Sequence, residues 1–324
     1  MERDFRQAST TAPLDGVPIE FGSSRATRSV REAIEKVASA PRTTVLVSGE
    51  SGVGKELVAR AIHACSARAG RPFVALNCAA LDEALLEAEL FGYAPGAFTG
   101  ALPRGREGLL AAAEGGSILF DEIGELEIGL QAKILRVLQE RCYRPVGSSQ
   151  DRSMDVRILA ATNRDLADHV AAGRFREDLF YRLNVLSIRV PPLRERSEDV
   201  AVLAERFLRE LSIDLGCTSS GFSDAALACL RAHGWPGNVR ELRNAVERGL
   251  LFARDRSIEV EDLGLSAHRG PIQRPCDRTL AGAERALIER VLEETTGNKS
   301  RAARLLGVNR ATLYNKLRAY GLSA

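Results

Sequence analysis

The residues best suited to chemistry lie in the stretch GESGVGKE, residues 49–56. It follows the apolar run TTVLVS and opens a helical pattern, which is the context that a phosphate-binding loop requires. The glycines let the backbone N–H groups and the helix N-terminus face an anion, while Lys55 reaches the β- and γ-phosphates. We expect the whole stretch to bind nucleotide: Gly49, Glu50, Ser51, Gly52, Val53, Gly54, Lys55 and Glu56.

One residue of this stretch departs from the general phosphate-loop motif. Glu56 occupies the position where a Ser or Thr hydroxyl usually coordinates Mg²⁺, so other groups must coordinate the metal. The apolar run ILFDE ends in two acids. We expect Asp121 to organise Mg²⁺ and its waters, and Glu122 to orient or deprotonate the attacking water. Two acids at a strand end could instead form a solvated turn, but the buried-type residues before them favour the catalytic interpretation.

Further polar residues follow other strand patterns. AATNRDL ends a strand with Asn163, which could hold the attacking water or sense the γ-phosphate, although Asn is also common in turns. GRFREDLFYRLNV contains Arg176 and Arg182, and an arginine supplied by a neighbouring subunit can stabilise phosphoryl transfer. The chain has 40 arginines and five lysines, so composition alone assigns no role to a single arginine.

These residues require a sheet whose strands end at one edge. Five short apolar runs, at 43–49, 72–77, 116–122, 156–163 and 185–190, alternate with helical patterns between residues 21 and 196. Such runs predict an α/β fold with a parallel sheet covered by helices on both faces. Residues 197–264 are predicted to form a small helical domain, 265–278 a linker, and 279–324 an all-helical domain, and residues 1–20 are predicted to be a flexible leader.

Composition sets the class of protein. The chain has 324 residues, 45% hydrophobic and 27% charged, with a formal net charge of +2. The tail from residue 271 is more basic than the rest, which indicates nucleic acid as a partner. Six widely spaced cysteines argue against a zinc knuckle or a disulfide scaffold. No apolar run is long enough to span a membrane, so we expect a cytoplasmic protein with no membrane partner.

The carboxyl-terminal segment GNKSRAARLLGVNRATLYNKLRAYGL contains two short helical patterns joined at Gly307, the size of a helix-turn-helix. Between residues 297 and 320 there are six Lys or Arg and no acid, a stripe suited to phosphates. Asn309 is expected to cap the recognition helix, and Arg310 to read guanine. The expected DNA-binding residues are Lys299, Ser300, Asn309, Arg310, Thr312, Asn315 and Lys316. A charged, solvated helix is the alternative.

The motifs together resemble one known family. GESGVGKE, ELFGYAPGAFTGA, GGSILFDEIGEL, ATNRDL, GRFREDLFYRLNV and GWPGNVREL have the order and spacing of the AAA+ activators of sigma-54 RNA polymerase, the bacterial enhancer-binding proteins. The resemblance runs from about residue 21 to residue 263, and residues 279–322 are similar to a Fis-type helix-turn-helix. It implies an AAA+ P-loop ATPase with a helical lid and a carboxyl-terminal DNA-binding domain. The family pattern itself has Glu after the lysine, so Glu56 is no defect.

The resemblance also implies roles for single residues. Arg240 resembles the sensor II arginine of the lid, Asn163 resembles sensor I, and Asn77 matches a position that pairs with the Walker B glutamate, here Glu122. Arg176 and Arg182 resemble arginine fingers that act across a subunit interface, so a homo-oligomer that ranges from a dimer to a hexameric ring is implied. The tip of a loop is implied to contact sigma-54 through Gly96, Ala97, Phe98, Thr99, Gly100 and Ala101.

The implied function is ATP-driven remodelling of the closed sigma-54 RNA polymerase complex into an open complex, directed by enhancer DNA and requiring ATP and Mg²⁺. Two alternatives stay open: a different AAA+ remodeller, and a DNA-binding regulator of the same ancestry whose ATPase module only controls assembly. Residues 1–20 are too short for a receiver or sensing domain. Control could therefore come from a regulatory partner protein or from an amino-terminal domain outside this sequence.

Overall fold

The computed structural model describes residues 22–98, 102–265 and 299–320, with 284–285, 287–288, 291–292 and 295 between them. The chain divides into two units, residues 1–266 and 267–324. In the described residues, no helix combines the length and the apolar character needed to cross a membrane.

A five-stranded parallel sheet forms the centre of the first unit, as predicted. Its strands are β1 (Val45–Ser48), β2 (Phe73–Asn77), β5 (Ser117–Asp121), β8 (Arg157–Thr162) and β9 (Leu186–Arg189). Their order across the sheet is β2-β5-β8-β1-β9. The three central strands, β5, β8 and β1, are buried along nearly their whole length. This burial on both faces explains why their sequences are nearly unbroken apolar runs.

Helices cover both faces of this sheet. They are α1 (Arg25–Ala38), α2 (Lys55–Ala64), α3 (Glu83–Phe91), α4 (Leu109–Ala112), α5 (Ile128–Glu140), α6 (Leu166–Ala171) and α7 (Glu177–Leu183). Two separate apolar cores result, one on each face. The first lies around Phe120 and Ile134, and the second lies around Val47 and Ile62.

Two short antiparallel ribbons project from this framework. One pairs β3 (Gly92–Tyr93) with β4 (Arg106–Glu107) between α3 and α4. The other pairs β6 (Cys142–Tyr143) with β7 (Arg152–Ser153). They touch where the N–H of Ala94 donates to the carbonyl of Val146, so the base of the first ribbon is held by the second.

The helical lid follows the sheet within the same unit. A 3-10 turn at Leu193–Arg196 leads into α8 (Asp199–Leu215), α9 (Asp224–Ala232) and α10 (Asn238–Ala253). Trp235 is fully buried among them, and its indole N–H donates to the carbonyl of Leu230 at 2.9 Å.

The second unit contains α11 (Lys299–Leu305) and α12 (Arg310–Ala319), which Gly307 separates as predicted. Ala302, Ala303, Leu313 and Leu317 are buried together. Leu306 and Val308 pack against this core and are partly buried.

Candidate nucleotide and DNA sites

The phosphate-binding loop lies between β1 and α2, at the carboxyl edge of the sheet. Gly54 precedes α2 with a φ of 101°, so the first amides of α2 are free to face an anion. Lys55 is 6% exposed. Its Nζ donates to the carbonyls of Gly49 at 3.1 Å and Glu50 at 3.3 Å, and to Oε1 of Glu122 at 3.2 Å. The predicted loop lysine and Walker B glutamate therefore meet in the fold.

The two acids of ILFDE differ in their surroundings. Burial raises the pKa of Asp121, the neighbouring charge of Glu122 adds to the rise, and the Lys55 cation opposes it. Glu122 leaves β5 in the left-handed region, with a φ of 53°. Its Oε2 accepts from the backbone N–H of Asn163 at 3.1 Å, so the end of β8 holds this carboxylate from the other side.

The donors at this edge suit a divalent cation. Asp121 is a partly buried carboxylate at the end of β5, and its burial raises its pKa. In the described residues, no group of three or more His, Cys, Asp and Glu side chains forms a protein cage for a metal. One carboxylate together with phosphate oxygens and water is the ligand set that Mg²⁺ usually takes. Glu56 is engaged elsewhere, by Arg60 at 2.7 and 2.9 Å.

The lid reaches the phosphate loop directly. The backbone N–H groups of Val239 and Arg240 donate to the carbonyl of Gly52 at 3.0 and 3.3 Å. The Arg240 guanidinium donates to Oγ of Ser51 at 3.2 Å. A Cβ on Gly52 would lie 2.4 Å from the carbonyl oxygen of Gly237, so only glycine permits this close contact.

Two residues at this contact were missed by the sequence analysis. The Arg194 guanidinium donates hydrogen bonds to both carboxylate oxygens of Glu50, at 2.8 and 2.5 Å. Asn238, fully buried, donates to Glu50 and to the carbonyl of Ser51. Only the position of Asn238 within GNVREL, two residues before Arg240, could have pointed to it.

The expected pairing of Asn77 with Glu122 is not made in this structure. The Asn77 side chain accepts from the N–H of Ala79 at 2.9 Å and so caps its own turn. Asn77 stands in register with Asp121, one position before Glu122. Glu122 bends away in its left-handed turn and meets Lys55 and the N–H of Asn163 instead.

The two predicted arginine fingers lie on and before α7. Arg176 precedes this helix and pairs with Asp178 through bonds of 3.0 and 2.7 Å. Arg182 is exposed and donates to the carbonyl of Leu138 at 3.5 Å. Neither contact belongs to the chain's own phosphate loop.

The loop carrying GAFTGA leaves the first ribbon after Tyr93. Gly96 has a φ of 73°, in the left-handed region that favours glycine, so the backbone bends sharply here. Phe98 is 46% exposed, but it is not isolated, because its ring packs edge-on against Tyr93 with centroids 5.0 Å apart. Ala97 is described as well, whereas Thr99, Gly100 and Ala101 lie outside the described residues.

In the second unit, Asn309 caps α12 as predicted, accepting from the N–H of Thr312 at 2.7 Å. Arg310 and Asn315 are exposed, and Lys299 lies over the ring of Tyr314, 5.4 Å from its centroid. Ser300, half-buried, is also on α11.

Lys316, a predicted DNA contact, has an acidic neighbour that lies outside the basic stretch of residues 297–320. Lys316 pairs with Glu284 at 2.5 Å. Glu284 also accepts from the hydroxyl of Tyr320 at 2.7 Å, and both bonds lower the pKa of this carboxyl. The basic stripe is therefore partly neutralised at Lys316.

Comparisons with known proteins agree with this arrangement. The sigma-54 interaction domain matches residues 21–189, the AAA+ ATPase lid domain residues 194–275, and the Fis family of bacterial regulatory proteins residues 279–320. The chain is 49% identical over 300 residues to the transcriptional regulatory protein ZraR of Salmonella typhimurium, covering 92% of this chain and 68% of the relative. It is 46% identical over 292 residues to the regulatory protein AtoC of Escherichia coli, covering 87% and 63%.

Solved structures give the same result. NtrX from Brucella abortus in complex with ADP has a TM-score of 0.70 at 36% identity, covering 93% of this chain and 69% of that one. NtrX in complex with ATP has a TM-score of 0.69 at 37% identity. The sigma-54 interaction domain alone spans more than half of the chain, and the order of the three matched domains is that of the fold. The chain therefore belongs to the sigma-54-dependent transcriptional regulators, in which an AAA+ ATPase with its lid is joined to a Fis-type DNA-binding domain.

Proposed function

We propose that the protein binds enhancer DNA, assembles into a ring, and uses ATP hydrolysis to convert the closed sigma-54 RNA polymerase complex into an open one. The observation that carries this proposal is the convergence of Lys55, Asp121, Glu122 and Asn163 at one sheet edge, with Arg240 of the lid against the same phosphate loop. A protein that binds both DNA and RNA polymerase works in the bacterial cytoplasm.

The chemistry assigned to each residue follows from its contacts. Mg²⁺, held by Asp121 and the phosphates, would neutralise the charge that develops on the transferred phosphoryl group. Lys55 exchanges its present partners, two loop carbonyls and Glu122, for phosphate oxygens. Glu122 is then released to accept a proton from the attacking water, while the N–H of Asn163 keeps its carboxylate in place.

Hydrolysis is proposed to need two protomers. Arg176 and Arg182 contact Asp178 and Leu138 of their own subunit and not its phosphate loop, and we propose that they act on the γ-phosphate of a neighbouring protomer. ATP turnover per protomer should therefore rise with protein concentration and then level off. Constant specific activity over a wide dilution range would oppose a shared site.

The GAFTGA loop is proposed to contact sigma-54. It projects from the ribbon between α3 and α4, and it presents Phe98 with nearly half of its surface exposed. A partly exposed aromatic ring supplies a compact apolar anchor at an interface. Its packing against Tyr93 gives this anchor a defined orientation.

The decisive experiment is promoter opening in vitro with sigma-54 holoenzyme, enhancer DNA, ATP and Mg²⁺. Glu122→Ala should lose both ATP hydrolysis and opening, whereas Thr99→Ala should lose opening but keep much of its ATPase. Glu205→Ala, which removes an exposed acid of α8, serves as the matched control and should behave as the wild type.

Two results would overturn the proposal. Opening that survives Thr99→Ala would remove the role of the loop. ATP turnover without any opening by the wild type would favour the alternative, a DNA-binding regulator whose AAA+ module controls assembly only.

A further inference from the structure

A network of side chains joins the lid to the phosphate loop next to Arg240. Its members are Glu50 in the loop, Arg194 in the 3-10 turn before α8, and Asn238 at the start of α10. Glu50 and Arg194 are 144 residues apart, and Asn238 and Ser51 are 187 apart, so only the docked lid brings them together.

The side-chain amide of Asn238 makes three hydrogen bonds at this contact. Its Oδ1 accepts from the N–H of Leu193 at 2.8 Å. Its Nδ2 donates to Oε2 of Glu50 at 3.1 Å and to the carbonyl of Ser51 at 3.0 Å. The residue is fully buried and has a φ of 54°, a conformation that Asn tolerates better than most residues. A buried amide that satisfies one donor and two acceptors cannot be replaced without leaving polar groups unpaired.

Glu50 is the junction of the network. Arg194 binds both of its carboxylate oxygens, at 2.8 and 2.5 Å, and Asn238 shares one of them. The Arg194 hydrogen bonds hold the pKa of the Glu50 carboxyl below its ordinary value, so the carboxylate stays ionised. Because the Glu50 carbonyl also accepts from Lys55, the network begins at the residue that meets the phosphates.

The network ends at Arg240. This residue lies two positions after Asn238 in α10, and its backbone N–H and that of Val239 point to the Gly52 carbonyl. Its guanidinium reaches Oγ of Ser51 at 3.2 Å. A long side chain on a helix is aimed by the placement of the first turn of that helix, and here the Asn238 amide determines this placement.

We propose that Glu50, Arg194 and Asn238 are positioning residues that latch the lid to the phosphate loop and hold Arg240 over the nucleotide. The inference rests on the proposed function, because it takes Arg240 as a residue that acts in ATP hydrolysis. The latch acts on the transition state through Arg240, so its loss lowers kcat more than it raises the KM for ATP.

The test is steady-state ATPase of the full chain at a protein concentration where turnover per protomer has levelled off. Arg194→Ala, at a half-exposed position, lowers kcat about 10- to 100-fold through misplacement of Arg240. Arg240→Ala gives a loss at least as large. The double variant Arg194→Ala/Arg240→Ala is no slower than Arg240→Ala alone, because both changes remove the same interaction.

Two further variants separate positioning from folding. The charge exchange Glu50→Arg/Arg194→Glu rebuilds the pair with opposite polarity and recovers part of kcat relative to either single change, because the Asn238 amide still lacks its acceptor at position 50. Arg256→Ala removes a similar two-bonded pair with Asp262 elsewhere in the lid, at 2.7 and 2.8 Å, and leaves kcat unchanged. Asn238→Asp, which turns two donated bonds into repulsions, gives the largest loss among the three latch residues, but no larger a loss than Arg240→Ala.

The possible failures are distinguishable. Losses that multiply in the double variant, or full activity of Arg194→Ala beside an inactive Arg240→Ala, overturn the latch alone. Full activity of Arg240→Ala overturns the assumed role of Arg240, and the latch with it.

Discussion

Asp199 offers the sharpest test of how the first unit is held together. It is fully buried at the first turn of α8, and it accepts four hydrogen bonds of 2.7 Å each. The donors are the backbone N–H groups of Ser23 and Ser24 and the hydroxyls of Ser24 and Thr27. Since Ser24 caps α1, a single carboxylate fastens the start of α1 to the start of the lid.

The expected cost follows from these bonds. Asp199→Ala leaves the buried N–H of Ser24 without an acceptor, and an unsatisfied buried group costs ~1–3 kcal/mol. The N–H of the exposed Ser23 can turn to water and the two hydroxyls can rotate to other partners, each at a smaller cost, so we expect a total loss of about 2–4 kcal/mol, large against a typical ~5–15 kcal/mol of folding free energy. Asp199→Asn keeps one acceptor oxygen for the two N–H groups, and the hydroxyls can accept from its amide. Its loss should be only ~1–2 kcal/mol.

Urea unfolding followed by tryptophan fluorescence measures both values. Trp235 is the only tryptophan of the chain and lies buried in the lid, so the signal reports this unit and not the DNA-binding one. Asp224→Ala is the matched control, because Asp224 is an exposed acid in the first turn of α9 and should cost ~1 kcal/mol at most. An Asp199→Ala loss as small as the control, or an Asn variant as damaged as the Ala variant, would refute the reasoning.

Three other variants test separate parts of the molecule. Asp121→Asn should abolish hydrolysis yet raise the Tm, because burial and Glu122 raise the pKa of the carboxyl and so make its ionised form costly. The ionised carboxylate of Asp121 destabilises the wild type fully above its raised pKa, and this cost disappears as the pH falls to the ordinary carboxyl pKa of 3.8. The Tm gain of Asp121→Asn should therefore shrink at acid pH, and a gain independent of pH would contradict this cause. Gly52→Ala should weaken ATP binding and lower the free energy of unfolding by ~2 kcal/mol or more, because a Cβ would lie 2.4 Å from the Gly237 carbonyl oxygen and the φ of 77° strains any residue but glycine. Wild-type affinity for ATP would show that the lid contact is dispensable. Glu284→Gln should free Lys316 for a phosphate and steepen the salt dependence of DNA binding by about one unit of slope. An unchanged slope would mean that Lys316 makes no phosphate contact.

The strands and the phosphate loop could be predicted because they depend on local chemistry. An apolar run followed by GESGVGKE specifies strand, tight loop and helix within a few residues, and the same is true of ILFDE and AATN. The cap of α12 by Asn309 is likewise local, a bond between residues three apart.

The contacts that the sequence did not reveal share the opposite cause. Asn77 was expected to meet Glu122, but the backbone turn at Glu122 decides where that carboxylate goes. The stripe ending at Tyr320 contained no acid, yet Glu284 reaches Lys316 from 32 residues upstream. The contact of Phe98 with Tyr93 likewise depends on the ribbon that brings the two rings together.

The amino-acid sequence by itself determined the order of the elements, the phosphate loop and its lysine, the two acids after the central strand, and the basic helical end. Each of these depends on residues that are neighbours along the chain. Only the tertiary structure decided that Asp199 ties the first helix to the lid, and that Glu50, Arg194 and Asn238 join the lid to the loop. Such bonds form between residues more than 140 positions apart, and the spacing of residue types carries no record of which distant side chains the packed layers will bring within 3 Å.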